Sequence, residues 1–246
     1  EYCPSNLRNL ENENKPFSDE NLRHILRDVC MGLNHLHKQR IVHLDIKPGN
    51  FEVTQQGNSN SPISTRKHPS FKNEQIQDAD LGLSRIAERK VGEDINEGDS
   101  RYLAPELLKD YTENLPDLTK ADIFSLGMTI YELMTGNIPP HLFKLTKCRF
   151  LGQELPKNGP EWRDIRSGKF SRLDNLTTSS DSLKSVIRQM LSPNPDERPS
   201  AQELLNNWLQ SDFELELQSL KAQNELLKAQ LKGYEQKLSL RRKMSL

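Results

Sequence analysis

His43-Leu44-Asp45-Ile46-Lys47-Pro48-Gly49-Asn50 is the stretch on which the reading of this chain turns. It follows Ile41-Val42, which reads as a short strand, and is itself followed by Asp80-Leu81-Gly82 and Ala104-Pro105-Glu106. Each of these short patterns alone arises by chance in many proteins, and an unrelated fold with coincidental matches is the bland alternative. Their order, spacing and flanking elements together are hard to obtain by accident.

Upstream of the strand, Leu22, Ile25, Leu26, Val29, Leu33 and Leu36 recur at three- and four-residue steps. That spacing predicts a helix over Asp19–Lys38 with one buried face. Ser18 is a good N-cap, and Phe17 before it can staple onto Leu22. Downstream, Asn50 to Ile76 is rich in Ser, Asn, Gln and Lys without apolar periodicity, so a solvated surface insert is expected, centred on about 54–75. Thr119–Thr135 differs in kind: its apolar residues lie all round the helix, so it should be buried centrally. Further helices are expected at Glu161–Ser167, at Ser180–Leu191, and from Ser200, where Glu203 completes a capping box.

The last segment, 210–246, carries Phe213, Leu217, Leu220, Asn224, Leu227, Leu231, Tyr234 and Leu238 at alternating steps of four and three. A coiled-coil seam has this pattern, with Asn224 at an a position and Glu216 and Lys221 as a g–e′ pair, so residues 213–240 are candidates for a homodimer. A single amphipathic helix on its own domain accounts for the same pattern.

Taken together, the motifs and elements resemble the large lobe of a protein kinase, from hinge to last domain helix over 1–209. The fold class expected is mainly α with short β hairpins, a kinase-like C-lobe with the N-lobe absent, plus a heptad-like helical tail. The resemblance implies ATP and Mg²⁺ as cofactors and assigns roles. Asp45 orients or accepts the proton of the attacking hydroxyl, and Lys47 neutralises the γ-phosphate during transfer. Asn50 and Asp80 offer oxygen ligands to a hard cation. Glu1 and Cys3 would sit in the hinge that bonds adenine, and Gly82 frees the backbone after the metal ligand. Glu106 matches the acid whose usual buried partner is Arg198. Asp122 matches the residue that braces the catalytic loop containing His43, a plain helix N-cap being the alternative.

Departures from the common pattern narrow the family. Leu44 stands where Arg usually precedes the catalytic Asp, which suggests activity not switched by a phosphorylated activation loop. Leu81 replaces Phe, and Gly98-Asp99 replaces Gly-Thr, putting a carboxylate near Lys47. With the long insert before Asp80, Glu97-Gly98-Asp99-Ser100-Arg101-Tyr102 and Leu155-Pro156-Lys157-Asn158-Gly159-Pro160-Glu161-Trp162 resemble the Wee family. Membrane-associated Myt-type relatives share the first segment but carry a hydrophobic anchor, whereas this tail is polar. The Wee resemblance implies a cyclin-dependent kinase as protein substrate, tyrosine as acceptor, inhibition of mitotic entry and a nuclear location, with the cytoplasm otherwise.

Composition is consistent with one globular unit and an appendage. Lys+Arg 34 against Asp+Glu 35 over 246 residues gives a net charge of -1, which disfavours nucleic acid as partner. Cys3, Cys30 and Cys148 lack zinc spacing and favour a reducing compartment. No membrane span or secretory leader is expected from these residues. The glycine-rich loop and strand lysine that complete a kinase nucleotide site are not among residues 1–246, so the fragment alone is expected to be inactive. The competing reading is a pseudokinase-like scaffold that binds or dimerises without catalysis.

Overall fold

The computed structural model describes residues 7, 17–55, 74–78, 81–88, 98–109, 116–136 and 154–207, and in the tail 221, 224, 225, 228, 230–232 and 234, with backbone alone at 52–55 and 74–78. The chain divides into two compact units, Glu1–Leu204 and Leu205–Leu246.

Helix α1 is Asp19–Lys38. Ser18 Oγ accepts from the Asn21 amide at 3.1 Å while Asn21 Oδ1 accepts from the Ser18 amide at 3.3 Å, a capping box made with Asn in place of Glu. Leu22, Ile25, Leu26, Val29 and Leu33 of the expected face are buried. Strand β1, Ile41–Val42, pairs antiparallel with β4, Arg85–Ile86.

The stretch expected to be a structureless insert begins and ends as strand. β2, Phe51–Gln55, pairs antiparallel with β3, Glu74–Asp78, in the register Phe51↔Asp78 to Gln55↔Glu74. Cross-strand pairing supplies the order that the polar sequence did not announce. Residues 56–73 lie outside the described set.

Helix α2, Thr119–Thr135, is the core of the larger unit: every residue from Ala121 to Thr135 is buried. It packs against α1 and against α5, Asp181–Met190. At Gly127 the packing is close enough that a Cβ would stand 3.0 Å from both Leu191 Cδ2 and Met190 Cβ. Between them come α3, Pro160–Arg166, and the short α4, Ser171–Asp174, which periodicity had not shown. Gly159 enters α3 at φ 94, a backbone angle open mainly to glycine, and Pro160 supplies the first turn. Helix α6, Ala201–Asn207, starts at the Ser200/Glu203 box: Ser200 Oγ accepts from the Glu203 amide at 3.2 Å, and the Ser200 amide donates to Glu203 Oε2 at 2.7 Å.

The described tail residues, Lys221 to Tyr234, are helical, and Leu231 and Tyr234 are exposed. The remaining seam residues, Phe213, Leu217, Leu220, Leu227 and Leu238, lie outside the described set. Among the described residues no helix is long and apolar enough to cross a membrane.

Candidate active site

The turn after β1 is held from below by one carboxylate. Asp122, fully buried in the first turn of α2, accepts from the His43 amide at 2.9 Å and the Leu44 amide at 2.8 Å. Its Oδ2 also meets His37 Nε2 of α1 at 2.8 Å. Leu44 between them has φ 64, in the left-handed region that costs a non-glycine residue about 1–2 kcal/mol. Two charge-assisted bonds beside it offset that strain. Asp122 is not the helix cap: Leu118 occupies that position, and Asp117 Oδ1 accepts from the Thr119 amide at 2.9 Å.

Asp45 follows the reversed backbone at Leu44, and its amide donates to His43 Nδ1 at 3.2 Å. Lys47 Nζ donates to Asp45 Oδ1 at 2.9 Å and Oδ2 at 2.7 Å. The turn Pro48–Asn50 folds Asn50 back, so that its Nδ2 donates to Asp45 Oδ2 at 2.8 Å and to the Asp45 carbonyl at 2.9 Å. With its nitrogen committed to two acceptors, the amide of Asn50 leaves Oδ1 without a hydrogen bond among the described residues. An uncommitted oxygen beside a carboxylate is a donor set suited to Mg²⁺. Asp45, Lys47 and Asn50 thus converge within direct bonding distance.

The segment before Ala104-Pro105-Glu106 closes over this cluster. A Cβ on Gly98 would stand 2.9 Å from Asp45 Oδ1 and 3.1 Å from the Leu44 carbonyl, so only glycine allows the approach. Asp99, expected near Lys47, makes its ion pair elsewhere, while Lys47 pairs with Asp45. The Asp99 carboxylate takes the Arg101 guanidinium, with Nε at 3.0 Å from Oδ1, because a partner two residues away closes a local turn. Desolvation pushes the Asp99 pKa up, but the Arg101 hydrogen bonds and the charges of Arg101 and Lys157 outweigh it and hold it below the ordinary value.

Ala104 is fully buried ahead of the turn Pro105–Leu108. Within that turn Glu106 forms a bidentate pair with Arg198, at 2.6 Å and 2.8 Å, both side chains being buried. Arg198 also donates to the carbonyls of Ser192 and Lys120 and lies 4.8 Å from the Phe124 ring centroid. Breaking such a pair strands a buried charge at a cost of about 3–5 kcal/mol. Leu81 and Gly82 are exposed. Asp80, Glu1 and Cys3 lie outside the described residues.

Residues that sequence reasoning passed over also shape the site. His37 joins Asp122, Tyr102 donates its hydroxyl to the buried Glu132, and Arg166 and Trp162 of α3 bind the backbone of the 98–103 segment. Of these, Trp162 and Tyr102 carried a signal, as parts of the Leu155–Trp162 and Glu97–Tyr102 motifs, whereas His37 and Arg166 carried none.

Comparison with known proteins bears on the same residues. The protein kinase domain family matches residues 1–209. A Wee1-like protein kinase of Drosophila melanogaster is 30% identical, across 98% of this chain and 40% of the relative. A Wee1-like protein kinase of Oryza sativa subsp. japonica is 32% identical across 79% of this chain and 29% of its own length. Wee1-like protein kinase 2 of Homo sapiens is 33% identical across 84% and 34%. The chain spans well under half the length of these relatives, and the Wee-type resemblance read from its motifs agrees with them.

Proposed function

Because this chain belongs to the protein kinase family, we propose that it forms the phosphoryl-transfer half of a Wee-type kinase, acting on a tyrosine of a cyclin-dependent kinase to delay mitotic entry. The observation that carries the reading is the Asp45 carboxylate, held by Lys47 and Asn50 and closely approached by Gly98 of the 98–103 segment.

Phosphoryl transfer depends on positioning and charge more than on covalent help. Asp45 accepts a hydrogen bond from the acceptor hydroxyl and aims its oxygen in line with the γ-phosphate of ATP. Lys47 is partly exposed, on a flexible stem, and can trade one Asp45 oxygen for a phosphate oxygen. Asn50, through Oδ1, and Asp80 would hold Mg²⁺, which neutralises charge on the phosphates when bound. Residues 1–246 alone bind ATP weakly and turn over little, since the family's glycine-rich loop and strand lysine are not among them. The tyrosine acceptor, the cyclin-dependent kinase and a nuclear location rest on the Wee-type relatives. A homodimer through 213–240 is supported by the heptad pattern and by the exposed Leu231.

The test is a transfer assay with the full-length protein that contains this chain, using a cyclin-dependent kinase complex as acceptor. Phosphotyrosine should appear, and Asp45→Asn should lower its rate by about 10²–10⁴-fold. Equal and null signals from both proteins would favour the non-catalytic scaffold.

A further inference from the structure

Arg166 closes α3 with its side chain turned inward and buried. Its Nε and Nη2 donate to the Leu103 carbonyl at 3.0 and 2.7 Å. Nη2 also reaches the carbonyls of Ser100 at 2.8 Å and Arg101 at 3.2 Å. The guanidinium stacks 3.9 Å from the Trp162 ring centroid, and Trp162 Nε1 donates to the same Ser100 carbonyl at 2.8 Å. Burial pushes the Arg166 pKa down to about 9, which leaves it cationic at neutral pH.

Among the described residues none of these donors meets a carboxylate. Apart from Nη1, which donates to the Trp162 carbonyl of its own helix at 3.2 Å, the buried cation is spent on backbone carbonyls of one short segment, and that segment begins at Gly98, against the oxygen of Asp45. The helix that carries Arg166 is itself fixed, since Glu161 forms a buried ion pair with Arg172 at 2.7 Å, and Arg172 also holds the Glu154 carbonyl at 3.0 Å. Ser100 Oγ donates to the Lys157 carbonyl at 3.1 Å and ties the loop before α3 to the same segment. A continuous set of bonds therefore runs from Arg172 through α3 and the 100–103 carbonyls to the backbone beside Asp45.

We infer that Arg166, with Trp162, is a positioning residue that sets the acceptor-facing segment 98–103 against Asp45, and so governs how the protein substrate is received rather than how ATP is used. This rests on the kinase reading above. Arg166 touches neither reactant; it acts through the carbonyls it holds. Lysine would be a poor substitute, because an ammonium cannot span three carbonyls in a planar fork.

The experiment uses the full-length protein with Arg166→Ala and Trp162→Phe variants. Steady-state kinetics with a cyclin-dependent kinase complex as acceptor should show its KM raised about 10- to 100-fold by Arg166→Ala. The KM for ATP and the rate of ATP hydrolysis without acceptor should stay within about twofold. Trp162→Phe keeps the ring stack and loses only the indole bond, so its acceptor KM should rise about threefold. Amide hydrogen exchange should accelerate across 98–103 and stay slow in α2. Unchanged acceptor KM and exchange in both variants overturn the inference. So do losses toward ATP and acceptor that fall in parallel with the unfolding midpoint. If the parent protein transfers no phosphate, the kinase reading falls and the acceptor role with it, while the exchange data separately sustain or overturn the clamp.

Discussion

Two short segments meet at Asp45, and they are fixed by opposite chemistry. The 43–45 turn offers its backbone amides, and one buried acid, Asp122, collects them. The 98–103 segment offers its carbonyls, and one buried base, Arg166, collects those. A carboxylate is compact and takes two neighbouring donors, so it suits a tight reversal such as the one at Leu44. A guanidinium is a wide fork and suits carbonyls spread over several residues. The contrast teaches that each loop, whatever bonds its own side chains add, is anchored by one buried charge that a neighbouring helix supplies.

The largest effect should come from breaking the acid side. Asp122→Ala leaves two buried amides unsatisfied and Leu44 strained, so denaturant unfolding should show a loss of about 4 kcal/mol. The comparison is sharpened by forcing the two segments apart without touching either anchor. Gly98→Ala introduces a methyl 2.9 Å from Asp45 Oδ1. In the full-length protein kcat should fall about 10- to 100-fold, since small misplacements of reacting groups are costly. Its unfolding free energy should drop by only about 1–2 kcal/mol.

The smallest effect concerns pH. Asp99 has a folded-state pKa below its ordinary value, held there by Arg101 against the cost of desolvation. The stability it adds is therefore present above the unfolded pKa of about 3.9 and is lost as pH falls through the lower, folded value. The pair is partly solvated, so Asp99→Asn should cost about 1 kcal/mol or less at pH 7. A titration of stability from pH 6 downward should show the variant losing less than the parent in the acid limb.

Much of this molecule could be read before its structure was known, where local rules and tertiary demands agree. Asp19–Lys38 follows from its cap and apolar spacing and Thr119–Thr135 from its all-round apolar content, and the helices at those positions have those limits. The meeting of Asp45, Lys47 and Asn50 is legible because all three share one turn. Arg166 was not legible: an arginine ending a short helix reads as solvent-facing, and only the carbonyls brought by a segment some sixty residues earlier give its charge a buried use. Strands β2 and β3 escaped for a related reason, since Glu52-Val53-Thr54-Gln55 and Glu74-Gln75-Ile76-Gln77 lack clean alternation and become strands by finding each other. The pairing of Asp99 with Arg101 was not anticipated, because family position drew attention away from the arginine two residues along.

The β2–β3 ladder has a consequence for how this chain can vary. Its base is stapled five residues deep, from Phe51↔Asp78 to Gln55↔Glu74. Whatever occupies 56–73 leaves and returns at the same two points, and each doubling of such a span adds only about 0.6 kcal/mol of closure entropy. Sequence can thus be added, removed or exchanged there, by evolution or by a designer splicing in a reporter, while Asn50 on one side and the approach to Asp80 on the other keep their places in the chain's register.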